Sequence, residues 1–398
     1  MSALRVFLST GFVWQFCWSS YWTLFFLRVV VDVGLDPLQL LLLGTAKEIT
    51  ILLVEIPTGV VADIRSRRLS VILSFFICGA AVVGAGLAGG FALLVLTQVA
   101  WAFGSTFRSG AETAWFTDEV GSVDVVDRVL PRRGRIEAFG SVAGLLSSSA
   151  LAAVAGLPVA LVAVGTILVV WGVFLVVGMP EAGFVRHDVS ARTRFAALLG
   201  EGLTASRQPG LRVLLVVTVI AGMASEAVDR LHVARLDQIG LQDQAIDAAL
   251  LVGSAAVFQS LGVIVLLAVI GRHIAGRRLP VVMVGLNLVT AVSVAVLAGV
   301  DLLSVALGAF IAQGVVRSVA RTVSTGWTNH FTDRANRATV HSFIGQAQSL
   351  GEISGGIVLG VLAQQLGIGV AIAGSAALYL ASALWAARGP ARWRSVAA

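Results

Sequence analysis

The sequence predicts an all-α integral membrane protein, with twelve transmembrane helices in two pseudo-symmetric bundles of six. Three observations lead there. The 398 residues are 57% hydrophobic and 13% charged, with mean hydropathy +0.92, whereas a soluble domain has about 25% charged residues. Apolar runs recur from end to end at about 20 residues, the length that crosses a bilayer core of roughly 30 Å. A backbone in lipid must satisfy its own hydrogen bonds, and the alternating short strands of a membrane barrel are absent, so the runs are helices.

The predicted spans are 6–31, 38–62, 69–89, 91–117, 137–156, 158–179, 211–236, 246–270, 279–299, 302–328, 340–364 and 368–387. The first run lacks a small-residue cleavage site and reads as a retained helix, not a signal peptide. Cys17 and Cys78 both fall within spans, which argues against a structural disulfide and gives no support for a metal site.

The basic residues sort to one side. Arg65, Arg67 and Arg68 follow span two, and Arg128, Arg132, Arg133 and Arg135 follow span four. Arg186, Arg192, Arg194 and Arg207 follow span six, and Arg272, Arg277 and Arg278 follow span eight. Arg334 and Arg337 follow span ten, and Arg388, Arg392 and Arg394 follow span twelve. The opposite loops carry Asp32, Asp36, Asp237, Asp243 and Asp301, with Arg235 as the marginal exception. This asymmetry puts both termini in the cytoplasm. The high isoelectric point is thereby accounted for without a nucleic-acid partner.

The longest polar stretch, residues 180–210, divides six spans from six. The predicted organisation is an N-terminal bundle over 1–180, a linker over 181–210 and a C-terminal bundle over 211–398. FAALLGEGL in the linker suits a short surface helix. The halves echo each other: Arg108-Ser109-Gly110-Ala111 in span four matches Arg317-Ser318-Val319-Ala320 in span ten. Gly140 and Gly144 in span five match Gly351 and Gly355 in span eleven. Parallel six-plus-six repeats are a transporter plan with a site near mid-membrane.

GVVADIRSRR, from Gly59 to Arg68, lies between spans two and three. It resembles the signature loop of the major facilitator superfamily, glycine-x-x-x-aspartate followed by a basic cluster. Ser66 stands where a glycine is usual, and Ile64 where an arginine is common. GLDPLQLLLLG, EIPTGVVAD, FRSGAETAWFTDEVG and SEAVDRL resemble the superfamily's tetracycline- and multidrug-resistance efflux branch, a drug:proton antiporter group. The resemblance spans nearly the whole chain, most densely in its first half. It implies the major facilitator fold, a bacterial inner (plasma) membrane location and a latch built on Gly59, Asp63, Arg67, Arg68 and Asp118. Asp63 would meet the start of helix eleven, and Arg67 or Arg68 would reach Asp118 or Glu119.

Charge inside a membrane costs about 2.5–3.5 kcal/mol per group even on insertion scales, yet the spans hold about a dozen charged residues. Glu48 and Glu55 are two helical turns apart on one face. Such a column suits a proton relay, because a carboxylate in an apolar wall loads and releases protons nearer neutral pH. Glu112, Glu226, Asp229 and Glu352 are the further candidates for proton coupling. Each of these groups also has the simpler reading of a carboxylate held by an arginine. Arg108 and Glu112 are four apart and suit an ion pair on one helix face. Asp229 and Arg230 are adjacent, diverge by about 100°, and predict different partners. Arg317 and Arg321 complete the charge-pairing set. Lys47 is the chain's one lysine. As an immediate neighbour of Glu48 it is expected to point away from it. In the facilitator fold helices two and eleven flank each other, so the resemblance implies a Lys47–Glu352 pair, with Glu226 or Asp229 of helix seven as the alternative. Pro57 predicts a kink near Glu55.

Span one carries Trp14, Gln15, Trp18 and Trp22. With Trp101 and Phe107 in span four, and Gln313 and Trp327 in span ten, they are the candidate substrate contacts. Aromatics with a few polar groups suit a flat, amphipathic or cationic solute, though packing or lipid-facing roles explain them as well. No phosphate-binding loop, HExxH or GxSxG is present, and the five histidines do not cluster. That argues against an enzyme and calls for no cofactor. The expected function is a proton-coupled antiporter, working as a monomer in the lipid bilayer, that exports an amphipathic small molecule. A carrier of the same fold for a lipid, peptide or siderophore, including one working inward, stays open, as does a non-transporting receptor.

Overall fold

In a computed structural model, residues 2–184, 191–274, 279–332 and 337–389 are described. Arg186, Arg277, Arg278, Arg334, Arg392 and Arg394 of the predicted charge pattern lie outside them. Every predicted span is a helix. They are α1 (Ala3–Leu27), α2 (Pro37–Ile64), α3 (Arg67–Leu87), α4 (Phe91–Arg108), α5 (Ala111–Val120), α6 (Val123–Ala155), α7 (Leu157–Gly178), α8 (Ala191–Ser206), α9 (Pro209–Gln238), α10 (Ala248–Ile274), α11 (Leu279–Gly299), α12 (Leu303–His330), α13 (Arg337–Leu366) and α14 (Ile368–Ala386). The linker helix expected around FAALLGEGL is α8. Among the described residues, nine spans are long and apolar enough to cross a membrane. The long helices that fall short are α1, which carries Trp14, Trp18 and Trp22, α2, which carries Lys47, Glu48 and Glu55, and α13, which carries Gln346, Gln348, Glu352, Gln364 and Gln365.

Local chemistry sets several boundaries. Asp36 caps α2: its Oδ1 accepts from the Gln39 N–H at 2.9 Å, and Gln39 Oε1 accepts from the Asp36 N–H at 3.1 Å. Pro37 occupies the first helical position, where its missing N–H costs nothing. Ser66 explains its departure from the glycine of the signature loop. It caps α3 by accepting from the Leu69 N–H at 2.8 Å, and its hydroxyl donates to Glu181 at 2.7 Å. Span four is two helices, because Gly110 takes φ +75° between α4 and α5. Span five starts earlier than predicted: α6 begins at Val123 and runs through Pro131.

The chain forms two compact units. One comprises Met1–Leu35, Ala46–Arg194 and Gln242–Val257, and the other Asp36–Thr45, Phe195–Leu241 and Phe258–Ala398. The first turns of α2 and of α10 thus group with the unit opposite to their neighbours in sequence. Inside the first unit α1 packs on α6 and α7, and α3 packs on α4 and α7. Inside the second α9 packs on α13 and α14, and α11 packs on α12 and α14. The pairings are the same, helix for helix.

The paired glycines supply the tightest of these contacts. A Cβ on Gly140 would sit 2.6 Å from the carbonyl oxygen of Phe12, and one on Gly144 would overlap that of Phe16. Gly351 and Gly355 meet the carbonyls of Val219 and Met223 in the same way. In each unit two glycines one turn apart therefore face two carbonyls one turn apart. This is small-residue packing of membrane helices, which lets backbones touch. The weak sequence echo at these positions marks a repeated helix–helix contact.

Candidate functional site

In the N-terminal unit, Trp14, Trp18 and Trp22 recur every fourth residue along α1 and form one stripe. Trp14 and Trp18 stack with ring centres 6.2 Å apart, and Trp18 meets Trp22 edge-on at 5.7 Å. Trp101 of α4 lies against all three and against Tyr21. Trp14 and Trp101 are buried, Trp22 is half-buried, and Trp18 is 36% exposed. Trp18 and Trp22 therefore offer surface, while Trp14 and Trp101 form the wall behind them. Gln15 Nε2 donates to Ser19 Oγ at 3.2 Å. Phe107 is buried beside Phe103.

Two cations already lie on these rings. The Arg108 guanidinium stands 3.9 Å from the centre of the Trp14 ring, and the Lys47 ammonium 5.5 Å from that of Trp22. Both are ion-paired as well. Arg108 binds Glu112, although Gly110 breaks the helix between them; Glu112 sits in the first turn of α5, where the helix dipole favours an anion. Arg133 binds the other Glu112 oxygen at 2.8 Å, binds Glu137 at 2.7 Å, and lies 3.9 Å from the centre of the Phe7 ring. It is 7% exposed. The sequence alone places Arg133 in a row of loop charges. It is a buried member of a four-residue network, missed because α6 extends so far beyond the apolar run. The Arg133/Glu137 spacing of four was the available signal.

Lys47 corrects a second expectation. Its ammonium pairs with Glu48, although side chains at i and i+1 leave a helix in different directions. Lysine's four-carbon stem is long enough to swing its charge back to the neighbouring carboxylate. Glu48 is 4% exposed, and Glu55 is half-buried in α2. The proposed partner, Glu352, belongs to the other unit, where it accepts from Gln348 Nε2 at 2.7 Å.

The latch residues of the first unit converge. Arg67 pairs with Asp118, approaches Asp63 at 3.4 Å and donates to the Ala114 carbonyl at 3.1 Å. Arg68 turns instead to the Val176 carbonyl, while its backbone N–H donates to Glu181 at 3.0 Å. Glu119 accepts from the Gly183 N–H at 2.8 Å. Gly59 is half-buried in α2. Glu181 was not anticipated. It joins Ser66 and Arg68 to the chain leaving α7.

In the C-terminal unit Asp229 and Arg230 have different partners, as their divergence required. Asp229 takes a two-pronged contact from Arg317, at 2.6 and 2.8 Å. Arg230 pairs with Glu226 at 3.2 Å, and Glu226 is 1% exposed. Gly44 packs against that pair, with no room for a Cβ beside Arg230 Nε and Glu226 Oε2. Arg317 also reaches Gln313 at 3.4 Å. Trp327 is fully buried in an apolar core with Leu214, Met283 and Val323. It is a packing residue and, unlike Met283 of the same core, does not line the cleft described next, contrary to its expected substrate role. A cleft of about 80 Å³ opens between α9, α11, α12, α13 and α14. Ser225, Asn287, Arg317, Arg321, Gln348 and Tyr379 are among its lining residues.

The sequence pattern of the Major Facilitator Superfamily matches residues 7–355. The chain belongs to the Major Facilitator Superfamily. Solved structures share its fold. The nucleoside transporter NupG has a TM-score of 0.76 at 14% identity, over 98% of this chain and 99% of that one. A bacterial homologue of the human lysosomal transporter Spinster, inward-facing and occupied, has a TM-score of 0.73 at 15% identity, over 98% of each chain. A POT family transporter in complex with 5-aminolevulinic acid has a TM-score of 0.76 at 11% identity, over 96% of this chain and 94% of that one. No curated protein matches the sequence significantly. The multi-pass membrane fold and transporter class of this superfamily member are thereby established. The efflux branch finds no support among these relatives.

Proposed function

We propose that this superfamily member is a proton-coupled secondary transporter that carries a small amphipathic organic solute by alternating access. The Lys47–Glu48 pair carries the reading. Glu48 is buried in a membrane helix, and its lysine partner lies on Trp22, at the end of the tryptophan stripe. A proton on Glu48 ends its attraction for Lys47, and a solute against Trp22 displaces the same ammonium. Proton and solute therefore act on one group, which is what coupling requires. Glu55, two turns along the face, supplies a second protonatable position. Glu112, Glu226 and Asp229 are held by arginines and are assigned to structure first.

Outward movement of the solute is taken from the efflux-branch motifs. The second reading is carriage of a nucleoside or short peptide. It draws on the named activities of the neighbouring structures, whose 11–15% identity supports the shared fold. The test is solute movement in reconstituted vesicles under an imposed pH gradient, with dyes of both charges and with nucleosides and peptides. Gradient-driven flux that collapses with a protonophore supports coupling. Glu48→Gln is expected to retain solute exchange and lose the response to the gradient. Flux in the native protein that ignores the gradient would refute coupling.

A further inference from the structure

We propose that the cleft inside the C-terminal unit binds an acidic group of the transported solute, a carboxylate or phosphate, through Arg321. This deepens the transporter reading by assigning a substrate class, and it rests on that reading.

The charge on the cleft wall is the first argument. Its lining includes Arg317 and Arg321, and no acidic residue. Asp229, which is not among the lining residues, commits both oxygens to Arg317, at 2.6 and 2.8 Å. Arg317 is thus neutralised and pinned. Arg321, one turn along α12, donates to Ser318 Oγ at 3.1 Å. Among the described residues it has no carboxylate partner. Of the other acids on the surrounding helices, Glu226 pairs with Arg230 on α9 and Glu352 accepts from Gln348 on α13, while Asp237 lies at the far end of α9.

Exposure is the second argument. Arg321 is exposed although it sits well inside a helix of membrane-crossing length. An arginine at that depth does not face lipid; it faces water or a polar partner. Its guanidinium has five donors in a planar fork, and the single bond to Ser318 leaves most of them for a ligand. Asn287, Ser225 and Gln348 place neutral polar groups on the same wall. That combination matches a carboxylate or phosphate, which guanidinium binds in two-pronged fashion.

The experiment is equilibrium binding to the purified full chain, by calorimetry, with three probes of matched shape: phenylacetate, phenylacetamide and phenethylamine. Binding is read without flux, so a failure of proton coupling leaves this test intact. Phenylacetate is expected to bind at least about tenfold more tightly than either of the others, the weight of one charge-assisted hydrogen bond. Arg321→Gln is expected to weaken phenylacetate far more than phenylacetamide and so to remove that preference. Arg321→Lys, which keeps the charge and loses the fork, is expected to fall between. Melting curves confirm that each variant is folded; if Arg321→Gln is not, the lysine variant alone decides. The proposal is overturned if phenethylamine binds best, if phenylacetate fails to bind at millimolar concentration, or if a folded Arg321 variant keeps the full preference. A short-chain phosphatidylglycerol that occupies the site while phenylacetate does not would assign Arg321 to lipid headgroups, and this too would overturn it.

Discussion

Arg28, in the π-helical turn Arg28–Asp32 that follows α1, and Arg235 on α9 perform one task in the two units. Arg28 donates through Nε to the carbonyl of Ala85 at 3.2 Å and through Nη2 to that of Ala88 at 2.9 Å. Arg235 donates through the same two nitrogens to Leu297 at 3.2 Å and Val300 at 3.1 Å. Each thereby closes the last carbonyls of a neighbouring helix, α3 or α11, which have no partner within that helix. Each also pairs with an aspartate, Asp32 at 2.9 Å or Asp301 at 2.7 Å. Arg235 was the outlier among loop charges, and this capping role accounts for it.

Replacing either arginine should therefore destabilise its unit by a similar amount. Arg28→Ala and Arg235→Ala are each expected to cost about 1.5–3 kcal/mol, the range for hydrogen bonds to a charged group. Lysine should recover part of the loss, because it keeps the charge but not the two-pronged geometry. Thermal melting of the detergent-solubilised protein measures this. A large effect at one site and none at the other would break the equivalence.

Glu112 balances Arg108 and Arg133, and its loss leaves two cations in a buried setting. Glu112→Gln is expected to cost about 3–5 kcal/mol, the penalty for breaking a buried pair. Adding Arg133→Gln should return part of it, since the surplus charge is then removed. A double variant no more stable than Glu112→Gln would show that the network is not electrostatically coupled.

The glycine contacts predict a graded series. Gly144→Ala and Gly355→Ala push a methyl into the carbonyls of Phe16 and Met223 and should each cost about 1–3 kcal/mol, the range for overpacking. Gly285→Ala has open space around its Cβ and should be neutral or stabilising by up to about 1 kcal/mol, since alanine favours helix. Gly44→Ala should displace the Glu226–Arg230 pair. Melting temperatures of the four variants would settle the order.

Lys47 and Glu48 should be energetically coupled. In a double-mutant cycle on gradient-driven flux, Lys47→Ala and Glu48→Gln are expected to be non-additive by about 0.5–3 kcal/mol, the range for contacting residues. A parallel cycle with Glu352→Gln tests the cross-helix partner. Additivity in the first cycle would remove Lys47 from the coupling scheme.

Much of the fold was legible because membrane helices leave a one-dimensional signal. All twelve predicted spans fall on helices, nine of them, among the described residues, long and apolar enough to cross a membrane, and the repeat is visible at Arg108/Arg317 and the glycine pairs. The pairing of Arg67 with Asp118 followed from the signature loop, and the divergence of Asp229 from Arg230 followed from helix geometry. What escaped needed a third dimension. Arg133 lies where a helix continues past its apolar stretch, so hydropathy could not distinguish it from a loop charge. Trp327 has the same composition signal whether it lines a cleft or fills a core. The reach of Lys47 to Glu48 depends on side-chain torsions, which residue spacing does not encode. The break at Gly110 was hidden because an ion pair at i, i+4 survives it.

The glycine-to-carbonyl seams have a mechanical consequence. Backbones in direct contact leave no layer of side chains to slip, so α1 with α6, and α9 with α13, act as welded struts. A carrier must nevertheless bend somewhere. In the N-terminal unit the compliant points are then the reversed turn at Gly110 and the proline step at Pro57 in α2. Stiffness and give are thus assigned to different helices, and the hinges fall next to the charged groups, Glu112 and Glu55, whose state would need to change with each cycle.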